Sequence, residues 1–374
     1  MTSGDRPPEQ SVSDGALYFL AGLCGLATGV LGAAFHLVVD TLVRWPSWLV
    51  AYLGHGALTF AAAAAIAAVA LVAAFFLTRL VAPEAAGSGV QEIEGAMEGL
   101  RDVRWRRVLP VKFVGGVLAL SSGLVAGREG PTIHMGASIA QAVSERMKLS
   151  EAELRGLLAA GAAAGLAAAF NAPLAAILFV IEETRKQFRY TLRSYTAVII
   201  ASTASAVGME LVGGTAPQLK LDNAEMPLSM LPAFLVLGVF LGGLGIVFNR
   251  TLLFLLDWVA ATFRKVPFVP ALVVGAAIGV LALVLPLAVG GGELLIPGLV
   301  NANLPIQILL LLCLLRFVGV MVSYPVGVPG GIFAPLLTLA TTVGLIAASL
   351  LQMAVPLPPL TTGALSPAAL GGPD

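Results

Sequence analysis

The chain has 374 residues, 58% of them hydrophobic and 11% charged, with 42 glycines and 21 basic side chains against 21 acidic ones. That composition excludes an ordinary soluble domain and assigns the chain to the polytopic all-α membrane proteins, and a net charge of zero leaves no electrostatic footprint for nucleic acid. Cys24 and Cys313 lie in apolar runs and read as small core residues, so neither a disulfide, a metal site nor a cofactor is expected.

In chain order, residues 1–15 are polar, carry Asp5, Arg6, Glu9 and Asp14, lack the basic start of a secretory signal, and read as a flexible tail. Charge-free runs at 17–39, 52–78, 156–181, 266–292 and 317–373 all reach the length of about 20 apolar residues that crosses a bilayer. Spans are expected at 16–43, 52–80, 107–125, 130–147, 151–168, 172–187, 191–212, 228–262, 268–288, 294–323 and 331–354. The polar segment 214–227 separates a first transmembrane repeat, 16–213, from a second, 228–354, and residues 355–374 form a proline-rich tail. Basic residues cluster at 101–107 and 185–193, which places those flanks and the N-terminus on the cytoplasmic side.

The most informative residue is Glu129, in Gly127-Arg128-Glu129-Gly130-Pro131 between two membrane-length apolar stretches. An ionisable side chain at membrane depth is a functional-site hypothesis. The glycines permit a close-approaching backbone and Pro131 suits a first helical turn, so the motif delivers Glu129 to a helix N-terminus, where unpaired N–H groups and the helix dipole favour an anion. Gly331-Ile332-Phe333-Ala334-Pro335 repeats the glycine-to-proline spacing in the second half and again opens an apolar helix. Such matched broken helices point to a midplane binding site. Gly87-Ser88-Gly89, ahead of a helical stretch at 90–100, is a third junction, with Ser88 either a helix cap or a ligand hydroxyl.

Each signal also has a plain structural explanation. Ser88 can be an ordinary cap, 331–335 a turn, Glu129 the partner of Arg128, and Glu182 with Glu183 a solvated helix end beside Arg185 and Lys186. His134 is either a proton carrier or a packing residue. An intramembrane enzyme is not expected, because no zinc-binding His-Glu-x-x-His and no nucleophile paired with His36, His55 or His134 is found.

The three motifs occur in the order in which the CLC family of chloride channels and chloride/proton antiporters carries them, and 103–113 and 161–189, with Phe170-Asn171-Ala172-Pro173 and Ile181-Glu182-Glu183, resemble a bacterial antiporter of that family. The resemblance covers about residues 16–350. It implies an inverted-repeat helical bundle with broken helices, chloride and protons as cargo, a lipid bilayer as surroundings, the bacterial cytoplasmic membrane as location, and a homodimer. It implies that Ser88 and Gly89 lie at the central chloride site, that Ile332 and Phe333 offer backbone N–H groups to chloride, that Glu129 is the external gate and that Glu183 transfers protons on the inner side. Gln91 stands where the family commonly has proline. Family helices and a tyrosine beyond residue 354 have no counterpart in 355–374, so the second repeat is expected to be incomplete. The rival readings are a passive chloride channel and, from another class, a non-transporting truncated remnant.

Overall fold

The computed structural model describes residues 12–186, 190–214, 228–302 and 304–354, and within them the chain is helical, with no β-strand. The expected polar connection falls outside the described residues from 215 to 227, as do residues 1–11, 187–189 and the tail 355–374. Among the described residues, seven helical segments are long and apolar enough to cross a membrane.

The first half runs α1 (Asp14–Leu42), α2 (Trp45–Leu53), α3 (Ala57–Val81), α4 (Val90–Met97), α5 (Trp105–Ser121), α6 (Glu129–Met147), α7 (Glu151–Phe170), α8 (Pro173–Thr184) and α9 (Leu192–Gly213). The second half continues with α10 (Leu231–Thr262), α11 (Val269–Val284), α12 (Ile296–Asn301), α13 (Ile306–Ser323) and α14 (Phe333–Ala354). Helix α7 is the central post. Its Ala- and Gly-rich sequence gives it almost no side-chain bulk, so α1, α6, α8 and α9 all close on it. At the α6/α7 crossing Gly136 and Gly161 face one another so closely that a methyl on either would lie 2.1 Å or 2.4 Å from the other's carbonyl oxygen. By contrast α10 buries little more than Phe248 and Leu252, as a helix facing lipid does.

Polar pairs at the helix ends identify the two faces. Ser150 and Glu153 form a capping box at the start of α7. Glu153 also accepts from the Val12 N–H at 2.9 Å and pairs with Arg193 at the start of α9, which pairs with Asp14 at the start of α1. Trp105, at the start of α5, donates to Glu145 near the end of α6. These ends share the face carrying the basic cluster 101–107, the cytoplasmic one by charge. The far ends of α1 and α5 therefore mark the external face.

Three expectations are corrected. The tail does not extend to Gly15, because Ser13 caps a helix that begins at Asp14 and Arg193 holds the Val12 carbonyl. The span expected from residue 52 is interrupted, since α2 ends at Gly54, whose positive φ of 71° stops the helix before α3 starts at Ala57. The span expected at 294–323 is two helices, because Pro305 lacks an N–H and sits in extended backbone, so α13 starts afresh after it.

Candidate anion site at two helix N-termini

The three glycine motifs, far apart in sequence, are joined by backbone hydrogen bonds. Gly127 and Gly331 exchange a reciprocal pair, N–H to O at 2.7 Å and 2.8 Å, forming a one-rung antiparallel bridge. The Gly87 N–H donates to the Val328 carbonyl at 3.0 Å and the Gly330 N–H donates to the Gly87 carbonyl at 3.1 Å. The start of α6 is thereby locked to the loop that opens α14, and both to the loop that opens α4. Gly130 is indispensable sterically, because a Cβ there would lie 2.6 Å from the Ser88 Cα. Pro131 and Pro335 occupy matching first turns, where a missing N–H costs nothing.

Glu129 is 2% exposed and folds back into this junction. Its Oε2 lies 2.1 Å from where a Gly127 Cβ would be and 3.5 Å from where a Gly331 Cβ would be. Neither carboxylate oxygen makes a hydrogen bond of ordinary geometry, although the backbone N–H groups of Glu129 and Ala334 bear on it. The side chain thus fills a space lined by the N-terminal ends of α6 and α14, where partial positive charge favours an anion. It is held by field and fit rather than by a hydrogen bond of ordinary geometry.

Arg128 does not serve as the structural partner of Glu129. Its guanidinium points outward and is 3% exposed, with Nε 2.5 Å from Glu293 Oε1 and Nη1 3.3 Å from Asp40 Oδ1. Behind Glu293, Arg316 of α13 is 1% exposed and spends its donors on the carbonyls of Leu287, Val289 and Gly290. A cavity of about 1220 Å³ opens from this cluster, lined among others by Asp40, Arg44, His55, Ser122, Arg128 and Glu293. It lies at the far ends of α1 and α5, which is the external face.

Ser88 follows Gly87 at the junction, but its hydroxyl is turned to its own helix: Oγ accepts from the Val90 N–H at 3.3 Å and donates to Gln91 Oε1 at 3.1 Å. The hydroxyl is thus turned to the first turn of α4 from the residue before its N-cap, with Gln91 supplying an acceptor that proline could not. Gly89 caps α4 at φ 85°, and a side chain there would strike His134. Phe333 stands at the start of α14 with its ring 44% exposed, edge-on to Phe170 and Phe179 at centroid distances of 5.4 Å and 5.8 Å. Ile332 packs into an apolar cluster with Val320, Met321 and Leu339. Glu183 is not brought into the junction. It lies exposed near the end of α8, beside Glu94 of α4, whose carboxyl is pushed above its ordinary value of 4.5 by burial and then by the neighbouring Glu183.

Sequence reasoning missed three participants. Lys112 of α5 is wholly buried and its Nζ donates to the carbonyls of Gly87 at 2.8 Å and Ser88 at 3.1 Å, pinning the first loop. A lysine inside an otherwise apolar stretch was the available signal. Glu293 and Arg316 carried the same one, each a lone charge amid apolar residues.

The family model described as "Voltage gated chloride channel" matches residues 69–372. The chain is 39% identical to the H(+)/Cl(-) exchange transporter ClcA of Vibrio campbellii, over 99% of this chain and 80% of that protein. With the transporter of the same name from Vibrio cholerae it shares 42% identity, over 88% of this chain and 72% of the relative. Among solved structures, a slow cyanobacterial Cl-/H+ antiporter superimposes with a TM-score of 0.88 at 34% identity, covering 93% of this chain and 82% of that one. A CLC-type fluoride/proton antiporter shares the fold, with a TM-score of 0.74 at 22% identity, over 90% of this chain and 82% of the other.

Proposed function

Given that the chain belongs to the voltage-gated chloride channel family, the CLC proteins, we propose that it is a multi-pass transporter that exchanges chloride for protons, with Glu129 alternating with the anion at the N-termini of α6 and α14. The observation that carries this reading is the buried Glu129 carboxylate, free of directed hydrogen bonds, in a space that would equally suit chloride. Ionised, it occupies the anion position and closes the route. Protonated, it loses its attraction to the helix ends, swings away and admits chloride, so one side chain couples the two fluxes. The exchangers among the relatives favour this reading over a passive channel.

Gly89, Ile332 and Phe333 contribute backbone to the chloride route, and the Ser88 hydroxyl joins it by rotating away from Gln91. Glu183, at the basic face, passes protons from the cytoplasm together with Glu94 beside it. The cytoplasmic membrane of a bacterium is the matching location, and a homodimer is the assembly the family implies; its mass in detergent by light scattering tests the latter.

The function is tested by reconstituting the chain in chloride-loaded liposomes and recording chloride efflux and external pH together. Chloride efflux driving proton uptake is expected, with Glu129→Ala abolishing proton movement while chloride flux persists, and Glu183→Gln lowering proton flux at least about tenfold, a 1.4 kcal/mol effect. Chloride flux without proton movement in the unsubstituted chain would establish the channel instead.

A further inference from the structure

Outside Glu129, the external cluster contains a carboxylate that the exchange so far leaves unused. Glu293 opens a short turn after Gly292, whose φ of 90° aims it inward. Its two oxygens are not equivalent. Oε1 is engaged by Arg128 at 2.5 Å, whereas Oε2 is buried without a partner. The free oxygen lies 2.3 Å from where a Gly291 Cβ would be, with the Ala126 carbonyl 3.0 Å from the same point, while Glu129 Oε2 lies against the next residue, Gly127. Glu293 Oε2 and the Ala126 carbonyl thus share the space beside Gly291, one residue from the glycine that Glu129 lies against, and Glu293 acts electrostatically on Glu129. Glu293 lines the external cavity and Glu129 does not.

The charges around Glu293 lie at two depths. Asp40 of α1, Glu129 of α6 and Glu293 are three carboxylates, and the buried cations facing them are Arg128 and Arg316. His36 of α1 lies near Arg128, and its own two ring nitrogens are buried without partners. The remaining ionisable groups, Arg44 and His55, line the outer cavity, and α12 and α14 add no charge among the described residues. Asp40 is 38% exposed at the cavity, so the inner groups are the carboxylates of Glu129 and Glu293 with the guanidinium groups of Arg128 and Arg316.

We propose that Glu293 is the outer proton station of the exchange, set between the external cavity and Glu129. The Glu293 side chain, 14% exposed, takes a proton from cavity water on swinging outward and on its return passes it from Oε2 to a Glu129 oxygen, after which Glu293 is again a carboxylate held by Arg128; on the reverse stroke the proton returns by the same route. Arg128, shared with Asp40, keeps the station in place without occupying the oxygen that carries the proton. This rests on the reading of Glu129 as the group that carries protons.

The test is Glu293→Gln in the full chain in liposomes, since glutamine can still accept from Arg128 but cannot relay a proton. Proton flux is expected to fall at least about fivefold, the chloride-to-proton ratio to rise, and the dependence of flux on external pH to flatten, with Glu293→Asp recovering part of each. The chloride-to-proton ratio, rather than the absolute chloride flux, is the readout, because Glu293 also holds Arg128. Wild-type stoichiometry and pH profile in Glu293→Gln would overturn the proposal, as would chloride and proton flux falling together at an unchanged ratio, which would make Glu293 a structural anchor. Persistent coupling in Glu129→Ala alone removes the underlying reading instead, and is seen before Glu293 is touched.

Discussion

The starts of α6 and α14 have matching backbone and opposite chemistry. Both open at a glycine, Gly127 or Gly331, both place proline in the first turn, and the two glycines bond reciprocally. At the second position Arg128 reaches out to Glu293 and Asp40, whereas Ile332 packs into apolar neighbours. At the third, the Glu129 carboxyl is buried without a hydrogen bond of ordinary geometry, whereas Phe333 leans on Phe170 and Phe179. The backbone makes one electropositive space from two halves, and the side chains put a carboxyl in one half and an aromatic ring in the other. A symmetrical site in field can thus be asymmetrical in function.

The fourth position is where the pair can be broken most severely. Gly130 faces the Ser88 backbone, so Gly130→Ala must push the first loop away, an overpacking cost of about 1–3 kcal/mol. Chloride flux should drop roughly tenfold or more. The reciprocal change Ala334→Gly costs at most about 1 kcal/mol of helix propensity, and flux should stay within about twofold of the parent. Equal losses in the two variants would mean that the starts of α6 and α14 are packed alike.

A weaker break is Phe333→Leu, which removes two edge-on aromatic contacts of about 0.5–1.5 kcal/mol each. Thermal unfolding in detergent should report a loss of about 1–2 kcal/mol with the chloride-to-proton ratio unchanged. A changed ratio would show that Phe333 is more than a wall.

The smallest effect lies at the basic face. Glu94 is held above 4.5 by burial and by Glu183, so the folded protein binds its proton more readily than the unfolded chain does. The stabilising contribution is present below 4.5 and is lost as pH rises through the higher folded value. Glu94→Gln should therefore flatten the fall in melting temperature across that interval by a small amount. An unchanged slope would separate Glu94 from Glu183.

Much of the site was legible because its geometry is local. The glycine-to-proline spacing at 127–131 and 331–335 announces two helix starts, and Glu129 between apolar stretches announces an expensive charge. The charged surroundings were not legible. Arg128 was weighed against its neighbour Glu129, yet it pairs with Glu293, 165 residues away, and with Asp40, 88 residues away. Ser88 could be read as cap or ligand, and in this conformation Gly89 takes the N-cap while the Ser88 hydroxyl turns to Val90 and Gln91.

The sequence alone determined that this is a helical membrane protein with broken helices at corresponding places, since burial in lipid demands apolar length and backbone self-satisfaction, both of which are written residue by residue. Tertiary structure alone decided which charges meet. Lys112 under the first loop, Arg316 behind the external turn and Glu293 beside Glu129 find their partners across helices that sequence order does not bring together. Local pattern sets where a helix begins; the field at that beginning depends on what the rest of the chain folds against it.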